Sequence, residues 1–126
     1  AEQVILGMPF FTRVWSETPK DSSGDDVESA SEDYVPYELS SEAVGMQSAQ
    51  RLMEVNGAEK TWLEDMGQYY TEYENGGVTY KIWFEDIKSI EEKLKVMDSH
   101  GFAGASFWKL GLEDSAVWNT IIKYIN

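Results

Sequence analysis

The sequence predicts an α+β fold, in which a unit of alternating strands and helices is interrupted after its first strand by an antiparallel insertion. The chain opens with a short continuous apolar run, Val4–Phe11, which is typical of a strand buried on both faces. Residues 78–85 alternate apolar and polar side chains, as a half-buried antiparallel strand does. Residues 86–126 then return to a helix, a short apolar run rich in small residues, and a second helix.

Composition excludes several classes of protein. The 126 residues include 10 Lys and Arg against 23 Asp and Glu, a net charge of −13. Nucleic acids and anionic membranes attract clustered positive charge, so we expect neither as a partner. With no Cys, the chain has no disulfide framework, thiolate metal site or cysteine nucleophile. No apolar run approaches the ~20 residues of a membrane span. We expect no signal peptide, because the N-terminus lacks a basic-then-apolar pattern. A start almost inside a strand without Met suggests a processed or excised piece.

We predict three regions along the chain: residues 1–15 with the first strand, residues 16–85 as the insertion, and residues 86–126 as the closing helix–strand–helix. The insertion begins with an acidic stretch, residues 16–33, in which Val27 is the only large apolar side chain. This composition predicts a solvated loop. A weak Ca²⁺ site is the alternative interpretation, although the regular spacing of Asp and Asn ligands is absent.

Within the insertion, we predict one helix followed by three short strands. The helix runs from about Ser41 to Val55, and the strands occupy residues 59–64, 68–73 and 78–84. The sequence Asn75–Gly77 between the last two strands is a strong signal for a hairpin turn.

In the closing region, Ser89 and Glu92 have the spacing of a capping box, which predicts the start of a helix that ends at Gly101. The apolar run 102–108 predicts a buried strand, and Asp114 is a candidate cap for a last helix. The broad apolar face predicted for that last helix consists of Val117, Trp118, Ile121, Ile122 and Ile125.

Two parts of the chain resemble family 18 of the glycoside hydrolases, the chitinase family. Leu6–Arg13 resembles that family's strand of the form Gly-Met/Ile-Pro-x-Tyr-x-Arg. The part of the chain from Trp83 onward resembles the family's aromatic-acidic strand end, seventh helix and glycine-rich eighth strand with its tryptophan. The matching residues are Trp83–Asp86, Ser89, Lys93, Gly101–Gly104 and Phe107–Trp108. In Thr12–Trp15, Trp83–Asp86 and Leu110–Leu112, the chain looks most like the spore-cortex-lytic glycosidases of spore-forming bacteria.

The resemblance implies that the chain is a C-terminal βαβα slice of a TIM barrel carrying the α+β chitinase insertion domain. Residues 1–15 would then be a barrel strand, residues 16–85 the insertion domain and residues 86–126 the barrel helix–strand–helix. The chain is far shorter than the roughly 250 residues of a closed barrel. No cofactor and no metal is implied, and the implied location is the spore, the cell envelope or the exterior.

The resemblance also implies a catalytic motif that this sequence lacks. The family's catalytic strand carries Asp-x-x-Asp-x-Asp-x-Glu, whose final Glu is the general acid, while the N-acetyl group of the substrate acts as nucleophile. Neither this spacing nor the family's Tyr-Asp pair is present. We therefore expect the chain to be inactive alone, whereas its parent would hydrolyse N-acetylglucosamine polymers, either chitin or spore-cortex peptidoglycan.

Four residues are candidates for substrate contact. Trp108 matches the tryptophan that floors the family's sugar subsite, and Arg13 matches an arginine that donates hydrogen bonds into the cleft. Phe11 stands where the family usually has Tyr, so the hydroxyl that binds the reacting sugar is absent. Glu64 lies in the insertion domain, which forms one groove wall. The alternative interpretations are a core tryptophan for Trp108 and solvated strand charges for Arg13 and Glu64.

Other features receive structural interpretations. Glu85 and Asp86 are acidic residues of the kind that helix N-termini favour, and not a catalytic pair. His100, the single histidine, has no second His or Cys for a metal site. The unpaired sheet edges of a barrel slice predict self-association. Two other functions remain open: a non-catalytic glycan-binding module, and a structural or interaction domain without a ligand.

Overall fold

The computed structural model describes residues 1–20 and 36–125, and in these ranges the strands form two separate sheets. The strands are β1 (Ile5–Pro9), β2 (Phe11–Pro19), β3 (Tyr37–Gly45), β4 (Thr61–Leu63), β5 (Gln68–Asn75), β6 (Val78–Phe84) and β7 (Gly104–Trp108). The helices are α1 (Met46–Val55), α2 (Ile87–Ser99) and α3 (Val117–Ile121), and a 3₁₀ turn follows at Ile122–Tyr124. The predicted α+β class is confirmed. None of the described helices is long and apolar enough to span a membrane.

The smaller sheet pairs a strand near the start of the chain with a strand from its last quarter. β1 and β7 pair in parallel, from Ile5 opposite Gly104 to Pro9 opposite Trp108. Helix α2 packs against this pair because Ile90, Leu94 and Met97 recur at helical spacing and form one apolar stripe. The core built here contains Met8, Phe10, Met46, Ile90, Leu94, Met97, Val117 and Ile121.

The larger sheet has five antiparallel strands in the order β3-β2-β6-β5-β4. Helix α1 covers one face, where Ala49 and Met53 join a buried cluster with Val14, Ile82 and Phe84. The predicted β5–β6 hairpin is confirmed. Its two turn residues are Gly76 and Gly77, with φ of +60° and +78°, a conformation that favours glycine.

Two predictions for the insertion are corrected. The acidic loop was expected from residue 16, but residues 16–19 belong to β2, because this strand pairs with β3 on one side and with β6 on the other. The helix expected from Ser41 begins at Met46, since residues 41–45 complete β3. Residues 21–35, the rest of the acidic stretch with its proposed Ca²⁺ site, lie outside the described residues.

Three predictions for the closing region are also corrected. Helix α2 starts three residues after Phe84, with Asp86 as N-cap in a reciprocal capping box with Ser89, rather than at a Ser89–Glu92 box. Strand β7 begins at Gly104 rather than at residue 102, because His100 and Gly101 form the turn out of α2 and the pairing with β1 starts at Gly104. Asp114 bonds the amide of Ala116 but does not cap α3, whose N-cap Ala116 has no side-chain acceptor.

The predicted apolar face of the last helix is only partly buried. Val117 and Ile121 lie in the core, whereas Ile122 is 62% and Ile125 53% exposed. Helix α3 ends after five residues, and the following 3₁₀ turn changes the angular spacing of the side chains. The predicted helical periodicity therefore does not extend to these two isoleucines.

Candidate functional site

Phe11 and Trp108 line a shallow depression at the carboxyl ends of β1 and β7. The depression has a volume of about 310 Å³ and is also lined by Pro9, Ser106 and Phe107. The backbone of Phe10 donates a 2.7 Å hydrogen bond to the carbonyl of Trp108, which joins the ends of the two strands. The side chain of Trp108 is 69% exposed, and its peptide bond to Lys109 is cis. An indole ring therefore faces solvent beside a cavity.

Arg13 lies two residues beyond Phe11 on β2, and because strand side chains alternate, the two share one face of the sheet. Arg13 is exposed, and its Nη1 donates a 2.9 Å hydrogen bond to Ser41 Oγ on the neighbouring strand β3. The guanidinium carries five N–H donors in a fixed fork. Its donors therefore lie on the surface that continues from the depression.

Glu64 directly follows β4, which forms an edge of the five-stranded sheet. Two strands, β6 and β5, separate β4 from the strand that carries Phe11. Antiparallel order places Glu64 and Phe11 at the same end of the sheet, about 14 Å apart for three strand spacings. Glu64 is exposed and does not line the depression.

A buried carboxylate connects the large sheet to helix α2. Glu85, which is 3% exposed, accepts hydrogen bonds from Ser89 Oγ at 2.9 Å and from Gln68 Nε2 at 3.1 Å, and forms an ion pair with Lys93. Its backbone amide donates to Thr12 Oγ1 at 2.9 Å. Burial raises the pKa of the Glu85 carboxyl, although the positive charge of Lys93 opposes this effect.

The sequence interpretation of the two adjacent acids is thus correct for Asp86 and incomplete for Glu85. Asp86 accepts a 2.9 Å hydrogen bond from the Ser89 amide as a helix cap. Glu85 instead belongs to an internal polar network. Ser89 and Lys93 lie four residues apart on one face of α2. Glu85 precedes the N-cap Asp86 and reaches both side chains from outside the helix, so helical spacing alone does not predict this network.

A larger cavity of about 600 Å³ lies between α1 and the start of α2. Charged side chains of both signs line it, among them Arg51, Glu54, Lys60, Lys88 and Glu91. It contains none of the four predicted contact residues. No group of three or more His, Asp or Glu within residues 1–20 and 36–125 is arranged to hold a metal ion. We place the candidate site at the smaller depression, because an exposed aromatic ring lies there.

The profile described as glycosyl hydrolases family 18 matches residues 1–113. The chain belongs to family 18. Its similarity to a cortical fragment-lytic enzyme of Bacillus anthracis reaches 31% identity over 55 residues, 44% of this chain and 13% of that protein.

Two solved structures show the same fold as this family 18 chain. The spore cortex-lytic enzyme SleL of Bacillus cereus superimposes with a TM-score of 0.76 at 21% identity, over 99% of this chain and 26% of that one. A chitinase of Chromobacterium violaceum gives a TM-score of 0.71 at 19% identity, over 95% of this chain and 32% of that one. The resemblance to chitinases and to the spore-cortex-lytic branch is confirmed. The chain spans a third or less of the length of these relatives.

Proposed function

We propose that this chain is the C-terminal part of a family 18 glycosidase and supplies part of a groove that binds N-acetylglucosamine polymers, either chitin or spore-cortex peptidoglycan. The observation that carries the proposal is the exposed indole of Trp108 at the carboxyl ends of two parallel strands. In (β/α)₈ barrels, substrate sites lie at that end of the strands.

The groups around the depression suit a sugar. A pyranose has an apolar face of C–H groups that packs against an aromatic ring, and hydroxyls at its edge that need hydrogen-bond partners. Trp108 supplies the ring, Arg13 supplies donors, and Phe11 adds an apolar wall where a hydroxyl is absent. Glu64 follows the edge strand β4, so it would accept hydrogen bonds only from a sugar that lies about three strand spacings from Phe11.

The proposed architecture accounts for the two sheets. The parallel β1–β7 pair with its helices corresponds to a slice of a TIM barrel, and the five-stranded sheet with α1 corresponds to the chitinase insertion domain, predicted at residues 16–85. Strand β2 enters that sheet at Phe11, so the inserted sheet extends into the region predicted as barrel strand. Because the motif with the general acid is not in this sequence, we expect the chain alone to bind glycan without cleaving it.

The test is a titration of the chain with an N-acetylglucosamine tetramer, followed by amide and indole NMR. We expect saturable shifts at the Trp108 indole and at Arg13, with millimolar or tighter affinity that Trp108→Ala abolishes. Trp62→Ala is the matched control. Trp62 lies on the edge strand β4 of the larger sheet, where it packs against Tyr69 and does not line the depression. We also expect the tetramer to remain intact by mass spectrometry. A dispersed spectrum that does not respond to the sugar would overturn the proposal.

Self-association is a further expectation. Within the described residues, β1 and β7 pair only with each other, so each has an open edge, and Ile5 on β1 is 62% exposed. Open edges template pairing with another chain. Sedimentation should therefore show a mass that rises with concentration, and Ile5→Lys should suppress that rise. Val55→Lys is the control, because Val55 is 72% exposed on α1. A monomer at every concentration would contradict this expectation.

A further inference from the structure

The loop that follows Trp108 returns to the five-stranded sheet at the junction of β3 and α1. The backbone amide of Met46 donates a 2.8 Å hydrogen bond to the carbonyl of Leu112. The amide of Asp114 donates in turn to Met46 Sδ at 3.3 Å. Gly45, the last residue of β3, lies against the same Leu112 carbonyl. We call this contact of Gly45 and Met46 with residues 112–114 the clasp.

The close approach of the two backbones at the clasp depends on glycine at position 45. A Cβ atom there would lie 3.0 Å from the carbonyl oxygen of Leu112 and 3.5 Å from its Cα. Both are backbone atoms, so the loop itself would have to move to make room. Gly45 has φ of −72° and ψ of 167°, an extended conformation open to any residue. A side chain at position 45 is therefore opposed by its contact with Leu112 and not by backbone strain.

The clasp lies between the two residues that line the depression. Gly45 is the register partner of Phe11 across the β2–β3 pair. Leu112 comes four residues after Trp108, and its side chain packs against the core cluster that contains Met46. The clasp thus connects the backbone opposite Phe11 to the loop that leaves Trp108.

The ring of Trp108 is oriented through its backbone rather than by packing. It is 69% exposed, and among the described residues no aromatic ring is paired with it. The hydrogen bond from the Phe10 amide holds its carbonyl. The three residues after Trp108 are all exposed, and Leu112 closes the turn by donating to the Lys109 carbonyl at 3.3 Å. Leu112 is therefore the next point at which the loop is fixed.

We propose that Gly45 and Met46 are positioning residues, which hold the loop after Trp108 so that its indole faces the depression beside Phe11. The inference rests on the proposed function, because the sugar would bind the indole in the orientation that the clasp fixes. A ring that is oriented before binding loses less conformational freedom when the sugar binds. If the oriented state is populated for only part of the time, the apparent affinity falls in proportion.

The experiment compares Gly45→Ala with the wild-type chain by amide and indole NMR and by titration with the N-acetylglucosamine tetramer. The added methyl group should displace Leu112 and shift or broaden the Trp108 indole signal of the free chain. Tetramer binding should weaken roughly two- to tenfold, the equivalent of about one lost hydrogen bond. The indole signal of Trp62, on the far edge strand β4, should not move.

Gly104→Ala is the matched control. A Cβ atom at Gly104 would meet no atom within 4 Å, and the backbone there is not in the conformation that favours glycine. Although Gly104 lies on the same strand as Trp108, we expect this variant to keep the wild-type Trp108 signal and the wild-type affinity for the tetramer.

Met46→Leu tests the clasp without adding volume, because leucine and methionine are close in size. It removes the sulfur that accepts from the Asp114 amide. We expect the Asp114 amide signal to shift, the Trp108 indole signal to move and tetramer affinity to fall about twofold, since a thioether is a weak acceptor. This variant decides the test if Gly45→Ala does not fold.

The outcomes separate this proposal from the proposed function. A Trp108 signal that moves together with tetramer affinity in the clasp variants, but not in Gly104→Ala, would support the positioning role. Folded clasp variants that keep the wild-type Trp108 signal or the wild-type affinity would overturn it and leave the Trp108 site intact. Absence of tetramer binding to the folded wild-type chain would overturn the proposed function and the positioning role with it.

Discussion

Phe10→Ala should lower the free energy of unfolding by about 3–5 kcal/mol, the range for truncating a fully buried aromatic residue. Phe10 has no exposed surface, and its ring stacks on Phe107 at 4.8 Å between centroids and meets Trp118 edge-on at 5.6 Å. The substitution leaves a cavity that these neighbours cannot fill without moving the strands. Denaturant unfolding followed by tryptophan fluorescence measures the loss.

The effect should extend to the candidate site, because the Phe10 backbone bonds the carbonyl of Trp108. We expect a broadened Trp108 indole signal and weaker glycan binding in the variant. Leu110→Ala is the control: Leu110 is 73% exposed, so its truncation should change stability by less than about 0.5 kcal/mol. A loss below about 1 kcal/mol for Phe10→Ala would contradict its place at the centre of the core.

Lys93→Met should destabilise the protein by about 2–3 kcal/mol at neutral pH, because it leaves Glu85 buried without a counter-charge. This destabilisation is smaller than that expected on breaking a completely buried ion pair. The reason is that the Lys93 side chain is 35% exposed and that Glu85 keeps its hydrogen bonds to Ser89 and Gln68. Lys95→Met is the matched control. Lys95 pairs with Glu92 on the surface, where such pairs contribute at most about 1 kcal/mol.

The deficit of Lys93→Met should depend on pH. The folded-state pKa of Glu85 is already raised, and removing the positive charge raises it further. The folded variant therefore takes up a proton before the unfolded chain does, so stability rises as the pH falls through the folded pKa towards the ordinary glutamate value of about 4.3. The difference in the free energy of unfolding between Lys93→Met and the wild type is therefore largest at neutral pH and becomes smaller in acid.

A second substitution separates charge from packing. Glu85→Gln combined with Lys93→Met removes both charges and should recover most of the lost stability at neutral pH, because no buried charge remains uncompensated. Unfolding measured at several pH values gives the comparison. A deficit that stays constant across pH, or one that the double variant does not reduce, would show that Lys93 acts through packing alone.

Local patterns identified the elements whose conformation depends on neighbours in sequence. Gly76 and Gly77 adopt positive φ, and two such residues between two alternating runs are typical of a two-residue hairpin turn. The stripe Ile90, Leu94 and Met97 similarly predicted the buried face of α2. The prediction of a helix from Ser41 to Gly45 was wrong, because this segment's sequence also allows a helix and no local signal excludes one. Pairing with β2 on one edge decides in favour of a strand.

At the candidate site, too, the sequence named the residues and the tertiary structure decided which of them lie together. Motif order in the sequence indicated family 18 and named Trp108, Arg13, Phe11 and Glu64 as contacts, which remain predictions. Folding brings Phe11 and Trp108 to one depression and keeps Arg13 on the continuing face, because the parallel β1–β7 pair and the turn into β2 join distant parts of the chain. Glu64 is separated from them by the sheet order, which no local pattern encodes.

The sequence by itself therefore determined the family, the α+β class, the net negative charge and the helices and turns with strong local signals. Only the tertiary structure decided that Glu85 is buried against Lys93 and that Phe11 and Trp108 line one depression. The physical reason is that local conformation depends on residues a few positions apart. Burial and the sharing of a sheet face depend on strand order and register, which are set by contacts between distant segments.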